Sequence, residues 1–149
     1  MPNFMKNLEN INQSWKWKKF TAIEIIKIND FGNVIFKTFE GEYWRICPEE
    51  LSCEKIAKNE NEFISATSEI EFIEDWEMKN LVKIAENKLG KLELSQKYCL
   101  KMPAPIGGKY DESNFEKIDF SELISFSGDL ARQIKDLKDG DNIKIEIQN

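Results

Sequence analysis

The chain has 149 residues, 41% of them hydrophobic with ten Phe and four Trp. That is enough apolar material for one domain to bury a core without staples, and it argues against disorder despite 32% charged residues. A formal charge of −6 opposes phosphate backbones and anionic lipids, so neither direct nucleic-acid binding nor a membrane is expected, and a basic protein partner is.

Histidine is absent. This removes Ser-His-Asp and Cys-His nucleophile pairs, HExxH sites and His-ligated zinc from the chemistry internal to this chain. No apolar run approaches twenty residues, and Met1-Pro2-Asn3-Phe4-Met5-Lys6 lacks the apolar core of a signal peptide. A cytoplasmic location is expected. Cys47, Cys53 and Cys99, an odd number, fit buried thiols in a reducing compartment better than a disulfide framework.

Residues 1–20 read as a short lead-in and 21–149 as a compact α+β domain, an antiparallel sheet flanked by helices. In the lead-in, Phe4, Leu8 and Ile11 share one helical stripe. Trp15-Lys16-Trp17-Lys18-Lys19-Phe20 interleaves aromatic and basic residues. In an acidic chain this favours a core face alternating with a wet face over stacking on a single-stranded nucleic acid. The β-branched run 23–28 fits a strand or the end of a helix. Asn29-Asp30-Phe31-Gly32-Asn33 is turn chemistry, and 34–39 with 43–47 form a hairpin closed across Glu40-Gly41-Glu42.

The stretch Tyr43-Trp44-Arg45-Ile46-Cys47-Pro48-Glu49-Glu50-Leu51-Ser52-Cys53 organises the rest. Trp44 and Ile46 point to one side of the strand, and Tyr43, Arg45 and Cys47 to the other. Pro48, Glu49 and Glu50 suit a helix start, which predicts a helix over 48–59. Asn59 and Glu62 form a capping box for a second short helix at Phe63 and Ile64. Asp75 is placed to cap a longer helix over 75–89, with Met78, Leu81, Val82, Ala85 and Leu89 on one face and Gly90 at its exit. A strand over 98–102 ends at Pro103, and 114–118 alternates as a weaker one. Asp119 with Glu122 as a capping box, and Ile118 with Leu123 as its staple, open a helix over 119–137. After the turn at Asp139-Gly140-Asp141-Asn142, residues 143–147 alternate as a final strand whose edge is open to pairing with a second copy.

Candidate chemistry is sparse. Gly107-Gly108-Lys109 lacks the spacing of a phosphate loop and reads as a turn. Asp136, Asp139 and Asp141 lack the spacing and the closing Glu of a calcium loop. Glu71, Glu74, Asp75 and Glu77 dress a helix N-terminus rather than pair for acid–base work. Neither Cys47 nor Cys53 is placed to be activated. No metal, cofactor or catalytic residue is expected. Arg45, partly buried on its strand, must find a carboxylate or carbonyls, and a structural ion pair is favoured over a ligand contact.

Five segments carry a resemblance. Phe31-Gly32-Asn33, the organising stretch 43–53, Tyr98-Cys99-Leu100-Lys101-Met102-Pro103, Gly107-Gly108-Lys109-Tyr110 with Asn114, and Ser127-Gly128-Asp129-Leu130-Ala131-Arg132-Gln133-Ile134 with Asp139-Gly140 occur in order. Together they resemble, over residues 14–149, a bacterial family known as the C-terminal domain of type VI secretion immunity proteins, whose founding member neutralises a DNase effector. The resemblance implies a non-enzymatic α+β domain that binds and blocks a toxin made by the same cell or its kin. The better-known immunity proteins carry another domain before this one, and this sequence is expected to have room for only a short lead-in there.

Net charge and position then suggest a contact surface at Glu40, Glu42, Glu49 and Glu50, with Arg45, Gly107 and Gly108 beside it, acting by occlusion of a cognate effector such as a nuclease. The alternative is a small-ligand-binding domain with its cleft near Gly107, Gly108 and Arg45.

Overall fold

A computed structural model describes residues 4–137. Its elements run α1 (Phe4–Ser14), β1 (Ala22–Ile28), β2 (Val34–Thr38), β3 (Tyr43–Cys47), β4 (Ser52–Ala57), α2 (Glu60–Thr67), α3 (Ile70–Glu77), α4 (Lys79–Leu89), β5 (Gln96–Leu100), β6 (Phe115–Asp119) and α5 (Phe120–Ile134). Strands β1 to β4 form an antiparallel sheet in chain order, and β5 pairs with β6 in a second, two-stranded sheet. The fold is α+β. The turn at 139–142 and the strand at 143–147 expected from the sequence lie outside the described residues.

The hairpin pairs Val34 with Ile46, Ile35 with Arg45, Phe36 with Trp44 and Lys37 with Tyr43. This register puts Val34, Phe36 and Ile46 on one face, where they meet Ile11, Trp15, Cys53, Phe120, Ile124, Leu130 and Ala131 in the main core. The ambiguous run 23–28 falls in β1, an outer strand of the sheet, with Ile25 and Ile28 packed on the edge of that core. Trp15 is fully buried while Lys16 and Lys19 are exposed, so the Trp-Lys segment divides into a core side and a wet side.

Helix α1 closes the core by lying against α5, and the approach is tight. A Cβ on Gly128 would stand 2.5 Å from the Ser14 carbonyl oxygen, a distance that backbone cannot relieve by a rotamer change. The Gly128 carbonyl in turn accepts a hydrogen bond from Trp17 Nε1 at 3.2 Å.

A second core joins β5 and β6 to α4, with Tyr98, Leu100 and Phe115 facing Leu81, Val82, Ala85 and Leu89. Phe31, from the turn between β1 and β2, inserts here with its ring 5.9 Å from Tyr98 and 5.6 Å from Phe115. Tyr98 N also donates to Asp30 O at 2.8 Å. The 29–33 turn therefore fastens the second core to the first.

Three expectations change. The predicted helix over 48–59 is only a single 3-10 turn, Pro48–Glu50, followed by strand β4. Leu51 takes a left-handed conformation at φ 50° and reverses the chain, so that Cys53 pairs with Ile46 and Glu54 with Arg45. Sheet pairing overrides the helix-start chemistry of Pro48, Glu49 and Glu50.

The expected helix over 75–89 is two helices meeting at Met78, which sits at φ 48°. Their apolar stripes serve different partners, Trp76 on the four-stranded sheet and Leu81 to Leu89 on the second core, and one straight helix could not bury both. Helix α5 spans Phe120–Ile134 rather than 119–137, and Asp119 stands at its N-cap without a side-chain bond. The capping box at Asn59 does form, with Asn59 Oδ1 accepting from Glu62 N at 2.9 Å. Among the described residues no helix is long and apolar enough to cross a membrane.

Substituting Gly128→Ala should force α1 off α5 and cost about 1–3 kcal/mol, read as a lower urea midpoint at unchanged slope. An unchanged midpoint would contradict this close helix contact.

Candidate functional site

Strand β3 turns Arg45 away from the main core, onto the sheet face covered by α2 and α3. Phe72 and Trp76, one helical turn apart on α3, stack nearly parallel at 6.5 Å. The Arg45 guanidinium carbon lies 5.7 Å and 5.1 Å from their ring centroids. Each of the three guanidinium nitrogens donates a hydrogen bond. Nη1 donates to Asp75 Oδ2 at 2.7 Å, while Nε and Nη2 donate to Asn33 Oδ1 at 3.1 and 2.8 Å. Asp75 is therefore the carboxylate that Arg45 was expected to need, and it lies within α3 rather than capping a helix.

Asn33 passes the contact on. Its Nδ2 donates to Glu49 Oε1 at 2.8 Å, so a buried amide separates the guanidinium from a second carboxylate. Arg45 and Glu49 are only 9% and 6% exposed. Burial pushes the Glu49 carboxyl up to about 7, against the smaller opposing pulls of the Asn33 hydrogen bond and Arg45. Asn33 itself is set by the turn. Asn29 Oδ1 accepts from Phe31 N and Asn33 N, and Asn29 Nδ2 donates to Trp76 O at 2.8 Å.

The other sequence candidates fall around this line or away from it. Glu49 is not an exposed acid, since the 3-10 turn tucks it under the sheet. Glu50 is exposed and accepts a hydrogen bond from Tyr110 OH, bringing the Gly107-Gly108-Lys109-Tyr110 loop beside it. The amides of Gly107 and Gly108 are already spent on Ala104 O and Pro103 O, at 3.0 Å each. A Cβ on Gly108 would fall 1.6 Å from Met102 O, so this segment is a tightly folded turn in which both glycine amides are already engaged.

Glu40 and Glu42 stand apart at the hairpin tip. Glu42 accepts from Lys55 at 2.8 Å and from Trp44 Nε1 at 3.2 Å, which hold its carboxyl below the usual range. The thiols are held the other way. Desolvation pushes Cys47 and Cys99 up to about 12 and raises Cys53 as well, the opposite of an activated nucleophile. Among the described residues no group of three or more His, Cys, Asp or Glu could hold a metal ion.

One feature escaped the sequence reading. Helices α2 and α3 together bury a single residue, Trp76, and leave Ile64, Ile70 and Ile73 at 54%, 64% and 37% exposure. The signal was present in the charge pattern, because 60–77 holds seven acidic residues and no Lys or Arg.

Three comparisons bear on the fold and family. A family model described as T6SS immunity protein Tdi1, C-terminal, matches residues 57–131. Tyr98 to Pro103, Gly107 to Tyr110 and Asn114 lie inside the match, whereas Phe31 to Asn33 and Tyr43 to Cys53 precede it. No curated protein matches the chain. Among solved structures, the crystal structure of Atu4351 from Agrobacterium tumefaciens aligns with a TM-score of 0.56 at 15% identity, over 85% of this chain and 64% of that one. At that identity the likeness concerns the fold, and this chain spans 64% of the length of that chain.

The buried Glu49 gives a pH signature. The folded chain keeps a proton up to about pH 7, where the unfolded chain, with an ordinary value of 4.5, has released it. Its contribution to stability is full below 4.5 and is lost as pH rises through about 7, a change on the order of 3 kcal/mol. Glu49→Gln keeps a carbonyl for Asn33 and removes the titration. Its unfolding free energy relative to the parent should therefore increase steadily from about pH 5 to about pH 8 in urea titrations. A gap that stays constant across this range would mean that Glu49 ionises freely in the folded chain.

Proposed function

The chain belongs to the family of the T6SS immunity protein Tdi1, C-terminal, and on that premise we propose that it binds a cognate type VI secretion effector in the cytoplasm and blocks it by occlusion. It supplies a surface and no chemistry of its own. The family match over 57–131 carries this reading. Two features of the chain are compatible with it: the absence of histidine and three thiols raised by burial.

A nuclease is the effector class that fits best. A protein that must hold a polyanion presents a basic face, and an acidic inhibitor associates with such a face quickly through electrostatic steering. Because Arg45 and Glu49 are enclosed in the fold, they act in this proposal by holding the surface in shape. Glu40 and Glu50, both exposed, remain available for contact.

The test is co-expression with the toxin-like reading frame beside the chain's gene, in a host that the toxin arrests. Growth restored by the intact chain, together with recovery of both proteins in a single complex near equal amounts, is the expected result. Continued arrest with a well-folded chain present would overturn the proposal.

A further inference from the structure

We infer that the effector docks on the outer face of α2 and α3, and that it meets this face with a basic surface bearing an apolar patch; this rests on the immunity reading above. Seven of the chain's 27 acidic residues and none of its 21 basic ones lie in 60–77, so the rest of the chain carries a formal charge of +1. The acidity of the protein is thus the acidity of one segment. Asp75, although its side chain is 66% exposed, is paired with Arg45, which leaves Glu60, Glu62, Glu69, Glu71, Glu74 and Glu77, all exposed, to set the charge of the outer face.

Helical geometry sorts α3 into two sides. Phe72 and Trp76, four residues apart, face the sheet, and Ile70, Ile73, Glu74 and Glu77 share the opposite side. The exposed isoleucines there belong to neither core among the described residues, and Ile64 adds to them from α2. At the C-terminal end of α3, Glu74 and Glu77 line an open depression of about 380 Å³ together with Met78, Lys79, Asn80 and Leu81. An incoming Lys or Arg side chain would meet Glu74 there, and Glu77 where it stands 3.9 Å from the exposed Lys79 ammonium.

Charge alone would draw in any polycation, and apolar exposure alone would favour self-association. Their interleaving on one helix face fits a protein partner whose cationic groups surround an apolar contact, with steering from the carboxylates and residence time from the isoleucines. The hairpin tip, with Phe39 exposed beside Glu40, offers a smaller face, because the other carboxylate there, Glu42, is paired with Lys55.

The test uses the full chain and a catalytically inactivated form of the effector encoded beside its gene, with affinity measured at low and high salt. One variant carries Glu69→Lys, Glu71→Lys and Glu74→Lys. A control with the same charge change carries Glu9→Lys, Glu24→Lys and Glu93→Lys, all exposed and outside the segment. A third variant carries Ile70→Asn and Ile73→Asn, and circular dichroism checks that each is folded.

The inference expects a loss of at least about tenfold at low salt for the first variant, shrinking at high salt, against less than about threefold for the control. The isoleucine variant should lose affinity to a similar extent at both salt concentrations. Equal losses in the first variant and the control, or full affinity in the first and third, would overturn this surface while leaving the immunity reading intact. A parent chain that forms a dimer dispersed by the isoleucine changes, with effector affinity unaltered, would assign the face to a second copy instead. A parent chain that neither binds the effector nor protects against it would overturn both readings.

Discussion

Arg45 is a guanidinium taken out of water, and a buried cation persists only where several acceptors reach it at once. Asn33 from the β1–β2 turn, Asp75 from α3 and the paired rings of Phe72 and Trp76 meet that demand. They come from two separate parts of the chain, the β1–β2 turn and α3, so satisfying one side chain fixes both relative to β3. Glu49 extends the line through the Asn33 amide, which ties the 48–50 turn to the same point. Breaking the line from the Asn33 end would strand two ionisable groups together, whereas the Asp75 end is half open to solvent and can be re-solvated.

The arrangement also explains how two lightly packed helices hold their place. Phe63 stacks on Tyr43 at 4.2 Å, and Lys27 approaches the rings of Phe72 and Trp76 at 5.8 and 5.1 Å. The sheet face beneath α2 and α3 thus presents Lys27, Lys37 and Arg45 to aromatic rings. An acidic pair of helices lies on a cationic sheet face, with their aromatic residues inward and their carboxylates and isoleucines outward. The energetic centre of the fold and its exposed acidic face are therefore two sides of the same segment.

Much of this was legible in the sequence. Strand alternation placed Arg45 opposite Trp44 and Ile46, and the turn residues of 29–33 and the Asn59 cap were read correctly from local chemistry. The errors share a cause. Glu54 and Lys55 have no strand character of their own, and β4 exists because Leu51 reverses the chain onto β3. Met78 likewise shows no local sign of the left-handed conformation that separates α3 from α4, because that break is required by two cores lying in different directions. Glu49 and Glu50 are adjacent in sequence, and only the tertiary turn makes one a buried hydrogen-bond acceptor and the other a surface group. Several residues behind the family resemblance, Gly32, Asn33, Arg45, Gly108 and Gly128 among them, hold turns, close approaches and the buried polar line. Such residues mark a fold more surely than they mark a partner.

Amide hydrogen exchange on the chain, free and saturated with its inactivated effector, tests most directly the claim that recognition lies on α2 and α3. The account predicts slowed exchange across 60–77 on binding, with little change at the hairpin tip around Gly41 or in the loop from Gly107 to Tyr110. Slowed exchange confined to the hairpin tip and that loop, with 60–77 unaffected, would contradict it.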